Sequence, residues 1–259
     1  MKSPIIGQSI VRLERVGSTN NYASGQLREN EIEEGTVFLA VSQTAGRGQQ
    51  TNQWESEDGK NLTFSLILRP AFLEIKDQFM LSKVVCLGLH RFLSDYVDDV
   101  RIKWPNDIYV GDRKICGILI ENAIMGARFS TSVIGIGLNI NQLVFLSDAP
   151  NPVSLAQLTG QQYNHDKLLN ELLAAIGHYY SLLRNGETET INKAFHENLY
   201  WLNEWCPFKD EAHCYTGKIC GVNEIGQLRV QEQDGPMHDY HFKEVSYLND
   251  FEQKLRKTD

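Results

Sequence analysis

The sequence predicts an α+β fold: a mixed, largely antiparallel sheet with helices on one side, followed by a small β-rich module. Strand-like and helix-like segments follow in the order β-α-β-loop-β-α-ββββ-ααα. This order does not alternate strictly, so it disfavours a doubly wound parallel sheet. Near Pro207 the pattern changes to short strands broken by turn residues. We therefore predict two domains, residues 1–206 and residues 207–259.

Composition limits the classes of function. The 259 residues are 42% hydrophobic and 22% charged, as in ordinary globular proteins. A net charge of −8 counts against binding nucleic acid through its phosphates. No apolar run could span a bilayer, and the first ten residues lack the apolar core of a signal peptide. The five cysteines form no CxxC motif, so we expect reduced structural thiols in a cytoplasmic protein that binds neither DNA nor membrane.

The amino-terminal half alternates strands and helices around one polar loop. "SIVRLERV" predicts a strand, "STNNYASGQLREN" a helix capped by Ser18 or Thr19, and "GTVFLAVSQ" a second strand. After the loop, alternation in "NLTFSLILRP" predicts a strand that ends at Pro70. Apolar residues at near-helical spacing then predict one long helix over residues 73–97.

The second half begins with paired strands. "VRIKWP", "DIYV", "KICGILIENAI" and "FSTSVIGIGLNI" are strand-like, and "VGDRK" is typical of a tight hairpin. A short helix closed by Gly160 follows, and then helices over residues 166–183 and 188–202. The last ~50 residues predict a small antiparallel barrel-like module.

Three segments have the residue types of a binding site. In "QTAGRGQQTNQWES", Gly46 and Gly48 would let the backbone approach a ligand closely, and Arg47 suits a carboxylate or phosphate. An exposed turn with a solvated arginine is the alternative. No Gly-Lys-Ser/Thr follows, so the loop is not a Walker A motif.

In "KWPNDIYVGDRKICGILIE", Lys103 and Lys114 flank Asn106 and Asp107. A hairpin would gather these cations and the carboxylate around one space, where Asp107 could hold Mg²⁺ or a ribose hydroxyl. A plain charged hairpin is the alternative.

In "IGIGLNIN", the third glycine of a dinucleotide fingerprint is missing. We interpret its glycines as thinning a strand so that something can lie against it, with Asn139 at the strand end. A plain core strand is the alternative.

Together, "STNNYA", "QTAGRG" with Trp54, "KWPNDIYVGDRKICGILIE" and "IGIGLNIN" strongly resemble biotin protein ligases (biotin–[acetyl-CoA-carboxylase] ligases) over residues 10–160. The resemblance implies a catalytic domain related to class II aminoacyl-tRNA synthetases and lipoate ligases, and an SH3-like carboxyl-terminal domain. It implies that biotin and MgATP give biotinyl-5′-AMP, and that a lysine of a biotin carboxyl carrier domain then accepts the biotinyl group.

The resemblance also implies roles for individual residues. Arg47 and Lys114 would be catalytic, and Asp107 would hold Mg²⁺. The residues expected to bind biotin are Ser18, Thr19, Asn20, Gln43, Gly46, Arg47, Gly48, Lys114, Gly117 and Leu119. The residues expected to bind the nucleotide are Arg47, Trp54, Asn106, Asp107, Lys114 and Asn139.

One departure from the family pattern lies in the loop, and a DNA-binding helix-turn-helix that some relatives add is not expected here. Family loops commonly continue with further arginines, whereas this chain has Gln49, Gln50, Thr51 and Asn52. We hypothesise that it retains the adenylate less tightly. About nine residues precede the first strand, so we expect no DNA-binding helix-turn-helix and no repressor function. Whether the chain forms a homodimer is left open.

Three rival functions stand beside this interpretation. A lipoate or other acyl-adenylating ligase could use the same fold. The cluster at residues 18–20 with Gln43 favours the biotin ring over a dithiolane. A binding module without catalysis would need no phosphate-side charges such as Arg47, Lys114 and Asp107. An interaction domain would have no reason to hold all these segments in this order.

Overall fold

Two β-sheets organise the protein in a computed structural model that describes residues 6–49, 52–126, 128–147 and 151–248. The strands of the first sheet are β1 Ile10–Val16, β2 Val37–Gln43, β3 Leu62–Leu68, β4 Val100–Lys103, β5 Asp107–Val110, β6 Arg113–Met125 and β7 Arg128–Leu138. The strands of the second are β8 Trp205–Lys209, β9 Cys214–Val222, β10 Leu228–Glu232, β11 Met237–Tyr240 and β12 Ser246–Tyr247. The helices are α1 Thr19–Glu29, α2 Phe79–Ser94, α3 Leu155–Thr159, α4 His165–Arg184 and α5 Thr188–Glu197.

The first sheet is mixed and largely antiparallel, as predicted. Its strand order is β1-β2-β3-β7-β6-β5-β4 in the described residues. β1 and β2 are connected by α1 and pair in parallel. Every other neighbouring pair of strands in this sheet is antiparallel. β3, β7 and β6 lie at its centre, so the glycine-bearing segments of β6 and β7 are neighbours.

Helices cover both faces of this sheet, which corrects the prediction of helices on one side. α1 packs through Ala23 against Phe38, Ile67 and Val133 on one face. α2 and α4 pack on the other face, where Phe64 belongs to the main core. A parallel β1-α1-β2 connection brings its helix over one face. β3 is therefore buried on both sides.

Two predicted helices are shorter in the structure. α2 begins only at Phe79, because residues 75–77 form a separate 3-10 turn. α5 ends at Glu197, and Trp201 and Asn203 have φ values of 60° and 61°, outside the helical region. The short helix α3 ends at Gly160 with φ 72°, as predicted.

The carboxyl-terminal module is packed tightly onto the first domain. Its strand β8 begins at Trp205, so the predicted boundary after residue 206 falls inside a strand. Phe208, Val230 and Tyr247 belong to the same buried cluster as the core of the first sheet. The indole of Trp104 also donates a hydrogen bond to the carbonyl of Gly226 at 2.9 Å. One apolar core thus continues through both sheets.

The cysteines are all free thiols. Burial raises the pKa of Cys86 to about 12 and that of Cys116 well above its usual value. Both side chains therefore stay protonated and act as small apolar groups. Among the described helices, none combines the length and the apolar character needed to cross a bilayer.

Candidate active site

The glycine loop folds back on itself and places Trp54 over the sheet. The amide of Gly48 donates to the carbonyl of Asn52 at 2.8 Å, and that of Trp54 to the carbonyl of Gly46 at 2.9 Å. A Cβ at residue 46 would lie 2.5 Å from the carbonyl oxygen of Trp54, so a side chain there would prevent this approach. The glycines thus permit close contacts within the loop itself, and the predicted approach to a ligand stays a prediction. Ordering of the loop by ligand stays a prediction, and Gln50 and Thr51 lie outside the described residues.

The indole of Trp54 lies against two glycines of neighbouring strands, which we call the glycine floor. Gly117 of β6 and Gly137 of β7 are directly opposite each other in the sheet. A Cβ on Gly137 would lie 2.3 Å from Trp54 Cε2, and one on Gly117 would lie 2.9 Å from Trp54 Cζ3. The prediction that something lies against the glycines of β7 is confirmed at Gly137, where it is a side chain of the protein itself, and the predicted ligand contact of Gly117 stays a prediction. Trp54 Nε1 is buried there with no hydrogen-bond partner among the described residues.

The β5–β6 hairpin brings a lysine and a carboxylate together, as predicted. Gly111, with φ 56°, lies in the two-residue turn between Val110 and Arg113. Lys114 Nζ lies 2.8 Å from Asp107 Oδ2, and both side chains are 22% exposed. Lys114 Nζ also lies 5.7 Å from the ring centre of Trp54. The hairpin therefore presents one cation and one carboxylate beside the indole.

The predicted ring-recognition cluster surrounds the amino end of α1. Ser18 occupies the N-cap position, but its hydroxyl makes no capping hydrogen bond. The amide of Thr19 donates instead to Gln43 Oε1 at 2.7 Å. Asn20 accepts a hydrogen bond from Ser65 Oγ at 2.6 Å and is 2% exposed. The predicted cap position at Ser18 is therefore confirmed, whereas the binding of biotin by this cluster stays a prediction.

Arg47 is held by a network that the sequence did not predict. Its Nη2 lies 2.7 Å from Glu121 Oε1, and its Nη1 donates to Asn21 Oδ1 at 2.5 Å. Glu121 Oε2 also accepts from Asn20 Nδ2 at 2.8 Å. The guanidinium of Arg47, which was predicted to bind the substrate anion, is therefore paired with a carboxylate of the protein itself.

One cavity of about 640 Å³ collects these groups. The predicted site residues on its wall are Ser18, Thr19, Asn20, Gln43, Arg47, Gly48, Trp54, Asn106, Asp107, Lys114, Gly117 and Leu119. Gly46 and Asn139 are not on the wall. The side chain of Asn139 points to the carbonyl of Val153, to which its Nδ2 donates at 3.0 Å. This hydrogen bond fixes the adjoining chain, and the contact of Asn139 with a nucleotide stays a prediction.

Sequence reasoning missed several residues on the wall. Lys103 was noted beside the hairpin but not assigned, and its Nζ lies 4.8 Å from the ring centres of both Tyr109 and Tyr247. Phe242 and Lys243 come from the carboxyl-terminal module. No local pattern indicated them, because the packing of the two sheets brings them to the cavity. Glu121 is not on the wall itself but holds Arg47 there. It had one available signal, because it is a charge that ends the apolar run "ICGILIE".

The hairpin fits a magnesium ion that takes most of its ligands from a nucleotide. Mg²⁺ commonly binds through one or two carboxylates, substrate phosphates and water. Asp107 supplies one carboxylate to the cavity, with Lys114 beside it. Among the described residues, no three histidine, cysteine or acidic side chains gather as a metal site of their own. Asp107 is therefore the residue that would hold the ion.

Comparison with known proteins identifies the family and the fold. Residues 13–139, about half of the chain, match the model of the Biotin/lipoate A/B protein ligase family. The chain is 29% identical over 244 residues to the bifunctional ligase/repressor BirA of Bacillus spizizenii, covering 91% of this chain and 73% of that protein. It is 27% identical over 252 residues to the biotin–protein ligase of Homo sapiens, covering 91% of this chain and 34% of that one. The biotin protein ligase from Aquifex aeolicus in complex with biotin and ATP superposes with a TM-score of 0.77. It is 25% identical and covers 92% of this chain and 98% of that one.

The fold, the glycine loop and the lysine–aspartate hairpin, with the family match, define the class of protein. The chain belongs to the Biotin/lipoate A/B protein ligase family. Within that family it belongs with the biotin protein ligases, which align with about nine-tenths of its length. It is therefore an enzyme of the ligase class, and its carboxyl-terminal sheet corresponds to the SH3-like domain expected from the sequence.

Proposed function

We propose that this chain activates biotin with ATP as biotinyl-5′-AMP and transfers the biotinyl group to a specific lysine of a biotin carboxyl carrier protein. The observation that carries the proposal is the shared cavity. Its wall has the polar cluster of residues 18–20 with Gln43 at one part and the Lys114–Asp107 pair at another. A site that only bound biotin would need no cation and carboxylate beside a nucleotide-sized space.

The first half-reaction joins two anions. A carboxylate oxygen of biotin attacks the α-phosphorus of ATP, and the bond to the pyrophosphate oxygen breaks. Arg47 and Lys114 would hold the carboxylate and the α-phosphoryl oxygens in line and stabilise the charge that develops there. Bound at Asp107, Mg²⁺ would supply charge neutralisation on the phosphates. Trp54 and the glycine loop would exclude water, which hydrolyses a mixed anhydride.

The second half-reaction forms an amide. The neutral amine of the acceptor lysine attacks the acyl carbon, the bond to the AMP oxygen breaks, and the amine loses a proton. AMP leaves with the anhydride oxygen on its phosphate, the acyl group remains as the amide, and the proton passes to solvent. We propose that Phe242 and Lys243 of the carboxyl-terminal module help to position ATP or the carrier, because both line the cavity.

Release of pyrophosphate tests the first half-reaction and its substrate. We expect release from ATP with biotin and much less with lipoate; the reverse preference would instead support a lipoate ligase. Lys114→Ala should lower the rate by ~10²–10³, the usual effect of removing one donor to developing charge. Arg113→Ala is the matched control, because Arg113 is the adjacent cation and is exposed at the hairpin tip. Wild-type release by the Lys114 variant would contradict the assignment.

Biotin transfer tests the second half-reaction. A purified carrier domain with its lysine should gain one biotinyl group, and the same domain with lysine replaced by arginine should gain none. Equal labelling of both domains would refute a specific transfer. Cytoplasmic location and the absence of DNA binding stay predictions, and a homodimer is left open.

A further inference from the structure

Glu121 lies at the junction of the loop and the ring-recognition cluster. One carboxylate oxygen, Oε1, is 2.7 Å from Arg47 Nη2, and the other, Oε2, is 3.5 Å from Arg47 Nη1. Oε2 also accepts from Asn20 Nδ2 at 2.8 Å. Both oxygens thus face the guanidinium fork, the geometry with which arginine binds a substrate carboxylate. No step of the proposed reaction uses the charge of Glu121.

This arrangement makes Glu121 a competitor of an anionic ligand. The fork of Arg47 presents its parallel donors to one carboxylate at a time. Asn21 Oδ1 takes a further Nη1 hydrogen at 2.5 Å, so the edge of the guanidinium formed by Nη1 and Nη2 is engaged. A substrate carboxylate can therefore bind this edge of Arg47 only if Glu121 releases it.

The exchange is easy because the ion pair is half exposed. The side chains of Arg47 and Glu121 are 38% and 35% exposed. Ion pairs of this kind stabilise weakly, since water screens them. Separating Arg47 from Glu121 therefore costs little free energy. Without Glu121, the guanidinium would have no carboxylate to hold it in this position.

We propose that Glu121 is a positioning residue, a built-in counter-ion that holds Arg47 at the mouth of the cavity and yields it to the carboxylate of the acid substrate. This inference rests on the proposed function, because it takes the substrate to be biotin. It predicts that the charge of Glu121 lowers the affinity for a ligand with a negatively charged head group. The charge should not change the affinity for a ligand with a neutral head group. Asn20, which shares Oε2, couples the exchange to occupation of the ring cluster.

Calorimetric binding of biotin and of biotin amide, both without ATP, separates this role from a structural one. The amide has the same ring and chain but no charge. Glu121→Gln should bind biotin about threefold to fivefold more tightly than wild type, the range for a half-exposed ion pair. Its affinity for biotin amide should not change. Glu121→Asp, which keeps the charge, should restore values near those of wild type, and Glu14→Gln on exposed β1 is the control for net charge.

The outcomes distinguish the two proposals. Equal changes for biotin and its amide would overturn the counter-ion role, because they would show an effect through Asn20 or through packing. Unchanged binding of both ligands, or weaker binding of biotin alone, would overturn it as well. Failure of wild type to bind either ligand would instead overturn the proposed function. Unchanged affinity for the amide also verifies that the variant is folded.

Discussion

A methyl group on Gly137 is the smallest change that should disable the part of the cavity where we propose that the nucleotide binds. Its Cβ would lie 2.3 Å from Trp54 Cε2, whereas an ordinary contact begins at 3.4 Å, so the indole must retreat by about 1.1 Å. Overpacking of this kind costs ~1–3 kcal/mol. We expect this free energy to be lost from the position of the loop that is proposed to bind ATP. Gly137→Ala should therefore weaken ATP binding about fivefold to 150-fold.

Equilibrium titration with a nonhydrolysable ATP analogue in the presence of biotin measures this effect. In Gly137→Ala the fluorescence emission of Trp54 should shift to longer wavelength, because the displaced indole is more exposed to water. The same substitution in a Trp54→Phe variant should give no shift. Gly25→Ala is the matched control, because nothing lies within 4 Å of its Cβ. In α1 it should instead stabilise the fold by about 0.5–1 kcal/mol. Unchanged ATP affinity and unchanged Trp54 emission in Gly137→Ala would refute the proposed role of the glycine floor.

Three further predictions concern ionisation and the loop. Burial lowers the pKa of Lys83 from 10.5 to about 8, so the unfolded chain binds more protons between these values and stability rises with pH there. Lys83→Met should remove this rise, up to about 3 kcal/mol, in denaturant titrations at pH 8 and 10; a persisting rise would contradict it. The hydrogen bond from His213, and then that from His238, lowers the pKa of Glu232, and the same bond with Glu232 raises that of His213. The stability that the Glu232 carboxylate contributes is lost as pH falls below about 4.5, and the stability that the His213 imidazolium contributes is lost as pH rises above about 6.5. Glu232→Gln should therefore lower the melting temperature most between pH 4.5 and pH 6.5. An equal lowering at every pH would contradict this network. Gln49→Arg should slow dissociation of the adenylate by adding a cation to the cavity wall, and faster dissociation than from wild type would contradict the weak-retention hypothesis.

Much of the fold followed from local patterns. The alternation of β3 and the turn at Gly111 predicted elements that the structure contains, because burial period and turn chemistry act within a few residues. The ends of α2 and α5 were wrong. Apolar spacing continued beyond both helices, although residues 75–77 turn separately and residues after Glu197 leave helical geometry to meet the second sheet.

The site was predictable where one segment carried its own chemistry. The cation and the carboxylate of the β5–β6 hairpin are close in sequence, and the hairpin fixes their distance. The partner of Arg47 was not predictable, because Glu121 is 74 residues away and meets it only across the sheet. The contributions of Phe242 and Lys243 depend likewise on the docking of the second sheet.

The apolar core shared by the two sheets has a consequence for dissecting the molecule. Cutting the chain before β8 would uncover Tyr200 and Trp104 of the first domain, whose rings pack against Tyr247 and Phe242, as well as unfold the second sheet. Calorimetry should accordingly record a single cooperative melting transition rather than two. The carboxyl-terminal module thus forms part of the wall of the cavity and shares its core with the first domain, so its contribution to the proposed activity is best measured with single side-chain replacements.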